Sequence, residues 1–196
     1  MRRLRCLFAI GMIWLCIADC FPQGLLFYGN EKRISERATY SVLREEHQRT
    51  FTNTFCISFD YLVRNVESPG YILYLEDRDA GKTYSFTYLH KPGDRCSFSF
   101  NEDGKRIFCI FELNKEDYDH RWLPVSIALD IHKDQARITV GSQSKEISNL
   151  GLEKGGFSPH IYFGKCEYIL DVASYAIRNL SLTDGEEIMI FPLNES

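Results

Sequence analysis

Two short runs of this 196-residue chain gather enough carboxylates to do chemistry: Glu76-Asp77-Arg78-Asp79 and Glu116-Asp117-Tyr118-Asp119. Paired carboxylates can act as acid and nucleophile in glycoside hydrolysis, where retaining chemistry wants them about 5–5.5 Å apart. On a β-strand that requirement takes the form Glu-x-Asp-x-x-Glu, and no glutamate here is followed by that spacing. Both runs adjoin turn signals and read as solvated loops. Their oxygens are also of the type that Ca²⁺ takes six to eight at a time. Calcium is therefore the one ion left open, and no other cofactor or metal site is expected.

The remaining reactive residue types do not assemble into a motif. There is no Gly-x-Ser-x-Gly and no phosphate-cradling glycine loop, and His47, His90, His120, His132 and His160 lie far apart. No catalytic residue is assigned, and the chain is read as a non-enzyme. The best candidates for ligand contact are aromatic. Tyr84, Phe86 and Tyr88 recur at period two, and flat rings stack well on the C–H faces of sugars. Tyr84 and Tyr88 are the candidate ligand-binding residues, and the competing reading is that the whole stripe is core.

Cys56, Cys96, Cys109 and Cys166 allow three disulfide pairings, and no C-x-x-C spacing supports a zinc site. Pairing Phe100 with Ile107 across the turn at Asp103-Gly104 sets Cys96 opposite Phe111 and Cys109 opposite Phe98. That diagonal is awkward for a bridge. A chain of this length can also bury a core without staples. Free, buried thiols are the expectation.

The elements that would carry these residues are strands. Phe55, Ile57, Phe59 and Tyr61 alternate with Cys56, Ser58, Asp60 and Leu62. Further strands are predicted at 71–75, 82–90, 96–100, 106–113, 125–131, 136–140, 160–163, 177–182 and 188–193. Only residues 35–48 could hold a helical turn. About a dozen short strands with turn punctuation and no alternating helices predict an all-β, antiparallel two-sheet sandwich.

The first twenty residues are different in kind. Arg2, Arg3 and Arg5 precede an uncharged apolar run from Leu7 to Ile17, the pattern of a secretory signal peptide and too short to span a bilayer. Residues 1–20 are read as signal peptide and 21–37 as a lead-in segment. The sandwich then occupies 38–196. Cys20 is an alternative lipidation site, with Asp19 before it a poor fit to a lipobox. The chain is thus expected to be exported, to a periplasm or cell surface, with or without a lipid anchor.

The full chain carries a formal charge of -4. Without residues 1–20, which hold three arginines and one aspartate, 20 basic and 26 acidic side chains leave -6. Nucleic acid is excluded as a partner by that field, whereas a neutral glycan is not.

Five segments, in order, carry a family resemblance: Phe55-Cys56-Ile57-Ser58-Phe59-Asp60, Pro69-Gly70-Tyr71-Ile72, Trp122-Leu123-Pro124-Val125, Ile161-Tyr162-Phe163-Gly164, and 171–180 followed by Ile190-Phe191-Pro192-Leu193-Asn194-Glu195-Ser196. Together they resemble the concanavalin A-like (laminin G-like) domains of exported proteins of Bacteroides and its relatives. The resemblance implies a concanavalin A-like jelly roll, often standing before a Kelch-type, galactose-oxidase-like propeller. It implies that this chain is the first domain of a longer protein. It also implies glycan or protein binding, often without catalysis.

The expectation is therefore an exported, lectin-like, non-catalytic module that binds carbohydrate or supports an adjacent domain. The alternatives are a structural domain docking on a β-propeller or another envelope protein, and a glycoside hydrolase with an unrecognised site.

Overall fold

The computed structural model describes residues 24–43 and 48–193. The leader and Cys20 lie outside the described residues. Thirteen strands appear among those described. The first sheet runs β1 (Leu25–Phe27), β12 (Ser174–Thr183), β3 (Thr54–Asn65), β8 (Leu123–Asp130), β9 (Gln135–Val140) and β10 (Gln143–Ser148), with β13 (Ile188–Phe191) also on β12. The second runs β2 (Thr39–Ser41), β11 (Pro159–Gly164), β4 (Gly70–Asp77), β5 (Lys82–Lys91), β6 (Arg95–Glu102) and β7 (Arg106–Asn114). All pairings between these strands are antiparallel.

Period-two alternation drives this architecture, because it gives each strand one apolar face to bury. Phe55, Ile57, Phe59 and Tyr61 of β3 point inward, as do Phe86 of β5 and Phe98, Phe100 and Phe111 of β6 and β7. Their rings interlock across the sheets: Tyr61 meets Phe98 edge-on at 5.3 Å, and Phe59 meets Phe163 edge-on at 5.0 Å. Such pairs prefer edge-to-face or offset contact, which fixes the two layers relative to each other.

Several sequence expectations are corrected. The helical turn expected within 35–48 is a short 3₁₀ turn (Ile34–Glu36) that starts one residue earlier and is followed by β2. β1 lies inside the segment read as a lead-in and pairs with β12 through Phe27 and Tyr175. The acidic run at 116–119 sits in and just after a short helix, α1 (Lys115–Tyr118), where the Asp117 carboxylate accepts the Asn114 N–H at 3.3 Å. Trp122 stands half-buried at the start of β8 with the Arg178 guanidinium 4.3 Å above its ring.

The β6–β7 register also differs from the expected one. Phe98 faces Phe111, Cys96 faces Leu113 and Phe100 faces Cys109, because a bulge at Phe108 absorbs one residue. Cys56, Cys96, Cys109 and Cys166 are free thiols, with Cys96 and Cys109 buried and the other two half-buried.

Candidate functional site

The side chains that alternate away from the core on the second sheet line a groove of about 820 Å³ on its outer face. The register arranges them in rows across the strands. One row runs Tyr162, Tyr74, Ser85, Asn101 and Ile107 over β11, β4, β5, β6 and β7. A parallel row runs Tyr71, Thr87, Ser99 and Ile110 over β4 to β7.

Tyr71 reaches this face only because β4 bulges. Tyr71 pairs with Thr87 but Leu73 pairs with Phe86, so Ile72 is an extra residue. A bulge shifts the alternation by one, which turns Tyr71 outward while Ile72 and Leu73 both stay in the core.

A hydrogen-bond network centres on Asp103, in the turn after β6. Its Oδ1 accepts from the Tyr71 hydroxyl at 2.8 Å and from Ser85 Oγ at 3.2 Å. A carboxylate has about four lone-pair sites, so accepting capacity remains for a ligand. The Asn101 amide lies 3.4 Å from Ser85 Oγ and Thr87 Oγ1 and 3.3 Å from Ser99 Oγ, while Thr87 and Ser99 share a 2.7 Å bond. Three hydroxyls thus compete for two amide hydrogens. Burial and the bond to Asp103 push the Tyr71 phenol up to about 12, so it stays a proton donor at neutral pH.

Every cation lining this groove is already paired. Lys105 and Arg106 hold the Glu102 carboxylate at 2.7 and 3.1 Å, and Lys91 holds Glu112. The hydrogen bond from Lys105, ahead of the other contacts, lowers the Glu102 pKa against the effect of burial, so this carboxylate is a charged anchor rather than an acid catalyst.

Along the same face, over β11, a second cavity of about 440 Å³ is lined by Tyr162, Tyr168, Leu170, Cys166, Glu76 and Arg78, among others. Arg78 is paired with Glu76 at 3.1 Å. The His160 and Tyr162 rings stack on β11 with centroids 6.5 Å apart.

The sequence candidates fall elsewhere. Tyr84 and Tyr88 are 1% and 2% exposed; Tyr88 borders the groove, but both side chains alternate to the core side of β5. Tyr84 packs on Phe100 and Tyr88 on Phe98, so neither ring has a free face for a sugar, and the stripe they form is core. The Glu76-Asp77 run is strand, not solvated loop: alternation sends Glu76 outward and buries Asp77. Those two carboxylates therefore cannot converge. No three His, Cys, Asp or Glu side chains come together as a metal-holding group among the described residues. Sequence reasoning passed over Ser85, Thr87, Ser99 and Asn101 as the wet side of strands and Asp103 as a turn residue. The signal available was a run of small hydroxyl residues alternating with the aromatics.

No protein-family model matches the chain, and no characterised protein matches it in sequence. Among solved structures it is similar to domains LG4–5 of the mouse laminin α1 chain, with a TM-score of 0.56 and 14% identity over 87% of this chain and 42% of that one. It is similar also to the LG1–3 region of the laminin α2 chain, with a TM-score of 0.54 and 16% identity over 87% of this chain and 32% of that one. The chain thus spans less than half of either laminin segment. At these identities the likeness is one of fold: the chain is a laminin G-like, concanavalin A-like jelly roll.

Proposed function

We propose that this laminin G-like jelly roll is an exported, non-catalytic module that binds an uncharged glycan in the groove on the outer face of its second sheet. The observation that carries the reading is the charge pairing. Lys91, Lys105 and Arg106 are each spent on a protein carboxylate, while Asp103 keeps accepting capacity and the half-buried Thr87, Ser99 and Asn101 line the groove with uncharged polar atoms. A neutral polyol needs that combination, since its hydroxyls both donate and accept and bring no charge to neutralise. The paired Glu102 and the high-pKa Tyr71 phenol favour binding over acid–base turnover. A glycan array read with the wild type and with Asp103→Ala tests this. Binding to neutral glycans that the substitution removes supports the reading, and a blank array sinks it.

A second reading, a domain that docks on another protein, is favoured by Ile188 and Ile190. They are 67% and 75% exposed on β13, which among the described residues pairs only with β12. An edge strand with exposed isoleucines is a ready pairing surface. Retention of a neighbouring protein by the wild type but not by a β13 double lysine variant would support this role.

A further inference from the structure

We infer that β13 pairs with the β13 of a second copy of this chain, antiparallel about a two-fold axis at Met189, to give a weak homodimer. The inference takes up the exposed edge of the second reading and names its occupant. It is independent of the glycan reading.

The other sheet edges among the described residues are closed, charged or shorter. β7 and β10 meet along one side of the sandwich, where Lys145 Nζ and Gln143 Nε2 donate to the Ile110 and Glu112 carbonyls at 2.6 and 2.9 Å. β10 also carries Lys145 and Glu146, and charge on an edge discourages pairing. β1 and β2 offer three residues each. β13, Ile188-Met189-Ile190-Phe191, has neither charge nor cap: among the described residues no hydrogen bond reaches its side away from β12.

Its side chains are divided as an interface requires. Met189 and Phe191 pack on the core, while Ile188 and Ile190 stand on the outer face of the first sheet. Nothing in their rows shields them, since the Ile190 row continues through Ser181, Ser58, Ser126 and Thr139, all small.

Symmetry then fixes the register. Directly opposite residues of an antiparallel pair share a face, so a two-fold axis sets one residue opposite its own copy. Centred on Met189, the axis puts Ile188 opposite Ile190 of the second copy, and the reverse, so four isoleucines form one apolar patch. Glu187 then faces Phe191 and Glu186 faces Pro192, so no like charges are opposed, and Arg49 already holds Glu187 at 3.0 Å. Centring on Ile190 would instead place Pro192, which has no N–H to give, in the ladder opposite Ile188.

A contact one strand wide and four residues long spans about 13 Å. It falls below the roughly 1,200 Å² of a stable interface, so the dimer is weak and forms at high concentration. The axis is normal to the joined sheets, which leaves both second-sheet faces open to the same side. A surface that repeats a ligand can then engage both copies at once.

Sedimentation equilibrium of the full chain, from about 1 μM to about 1 mM, covers the range in which so small an interface associates. The mean mass should rise from one chain toward two. The double substitution Ile188→Lys, Ile190→Lys should hold it at one chain with an unchanged urea midpoint, because both side chains are exposed. A second pair of variants reads the register. Ile188→Cys mixed with Ile190→Cys under mild oxidation should cross-link at least about threefold more than either variant by itself, because only the mixture sets two new thiols opposite each other.

A chain that stays monomeric throughout overturns the inference and leaves the groove reading untouched. Association that the two lysines leave intact belongs to another surface and also overturns it. Ile190→Cys that cross-links alone as well as the mixture overturns the Met189-centred pairing. If the lysine variant fails to fold, the cross-linking decides: no gain in the mixture overturns the inference.

Discussion

The hydroxyl of Tyr175 donates to the carbonyl of Ile72 at 2.6 Å, joining β12 of one sheet to the bulged residue of β4 in the other. The same oxygen accepts the Gly164 N–H at 2.9 Å. β4 and β11 pair as far as Leu73 with Phe163, so Ile72 and Gly164 would be the next partners in the ladder. The phenol stands between their N–H and C=O. It fixes the bulge, and the bulge is what turns Tyr71 toward Asp103.

Tyr175→Phe should accordingly damage both stability and binding. It leaves a buried N–H and a buried C=O without a partner, each costing about 1–3 kcal/mol, so a loss of about 2–6 kcal/mol in urea unfolding is expected. In the folded fraction, glycan affinity should also fall, since Tyr71 loses its fixed approach to Asp103. A variant as stable as the wild type would show that the bulge does not depend on the phenol.

Tyr61→Phe should do the opposite. Tyr61 stacks on Tyr175 with centroids 5.3 Å apart and is fully buried, yet its hydroxyl has no hydrogen-bond partner among the described residues. Removing an unsatisfied buried hydroxyl while keeping the ring is expected to be neutral or to stabilise by up to about 1 kcal/mol. The two substitutions are chemically identical and sit one ring apart, so comparing their unfolding midpoints isolates the hydrogen bonds. A clear loss on Tyr61→Phe would reveal a partner for that hydroxyl.

These tyrosines show what the sequence could and could not disclose. Alternation in β3, β5 and β8 made the sandwich legible, and it separated inward from outward residues within each strand. It could not show that the outward face of the second sheet is grooved, because that depends on how neighbouring strands and the 166–171 segment stand around it. The candidate ligand residues Tyr84 and Tyr88 were one residue away from the face that matters, which carries Ser85 and Thr87. The bulge at Ile72 was illegible because an unbulged Tyr71–Leu75 strand has the same residues with Tyr71 on the other side. β10 escaped notice for a different reason: as an edge strand it is mostly exposed and has no apolar alternation to detect.

Alkaline stability should be governed by buried acids that hold their protons. Burial pushes the Cys96 thiol from an ordinary 9.0 up to about 12, and the Tyr71 phenol rises from 10.0 to about 12. Both folded values lie above the unfolded ones, so between them the unfolded chain binds fewer protons than the folded one. Stability is then fully present below about pH 9 and declines as pH rises from 9 toward 12. Urea midpoints measured across that window should fall, and Cys96→Ala should reduce the slope at its lower end. Under native conditions near neutral pH, iodoacetamide should label Cys56 and Cys166 ahead of Cys96 and Cys109, the two buried thiols. Rapid native labelling of Cys96 would contradict its placement in the core.

The charge pairing gives a gain-of-function test. Glu102 engages both Lys105 and Arg106, and Arg106 is further held by the Asn149 carbonyl at 2.6 Å and lies 4.5 Å over the Phe108 ring. Glu102→Gln would leave Arg106 largely in place but release the Lys105 ammonium, the more exposed of the two, at the groove's end. The wild type should ignore oligogalacturonate, because each groove cation is already neutralised. The variant should bind it measurably at low salt and lose it at high salt, since an exposed charge contact is screened within about 10 Å at 0.1 M ionic strength. Its affinity for neutral glycans should change little, because Asp103, Asn101 and the hydroxyl rows are untouched. Binding of oligogalacturonate by the wild type itself would mean that the cations are available to ligands, and the groove would have to be assigned to acidic rather than neutral sugars.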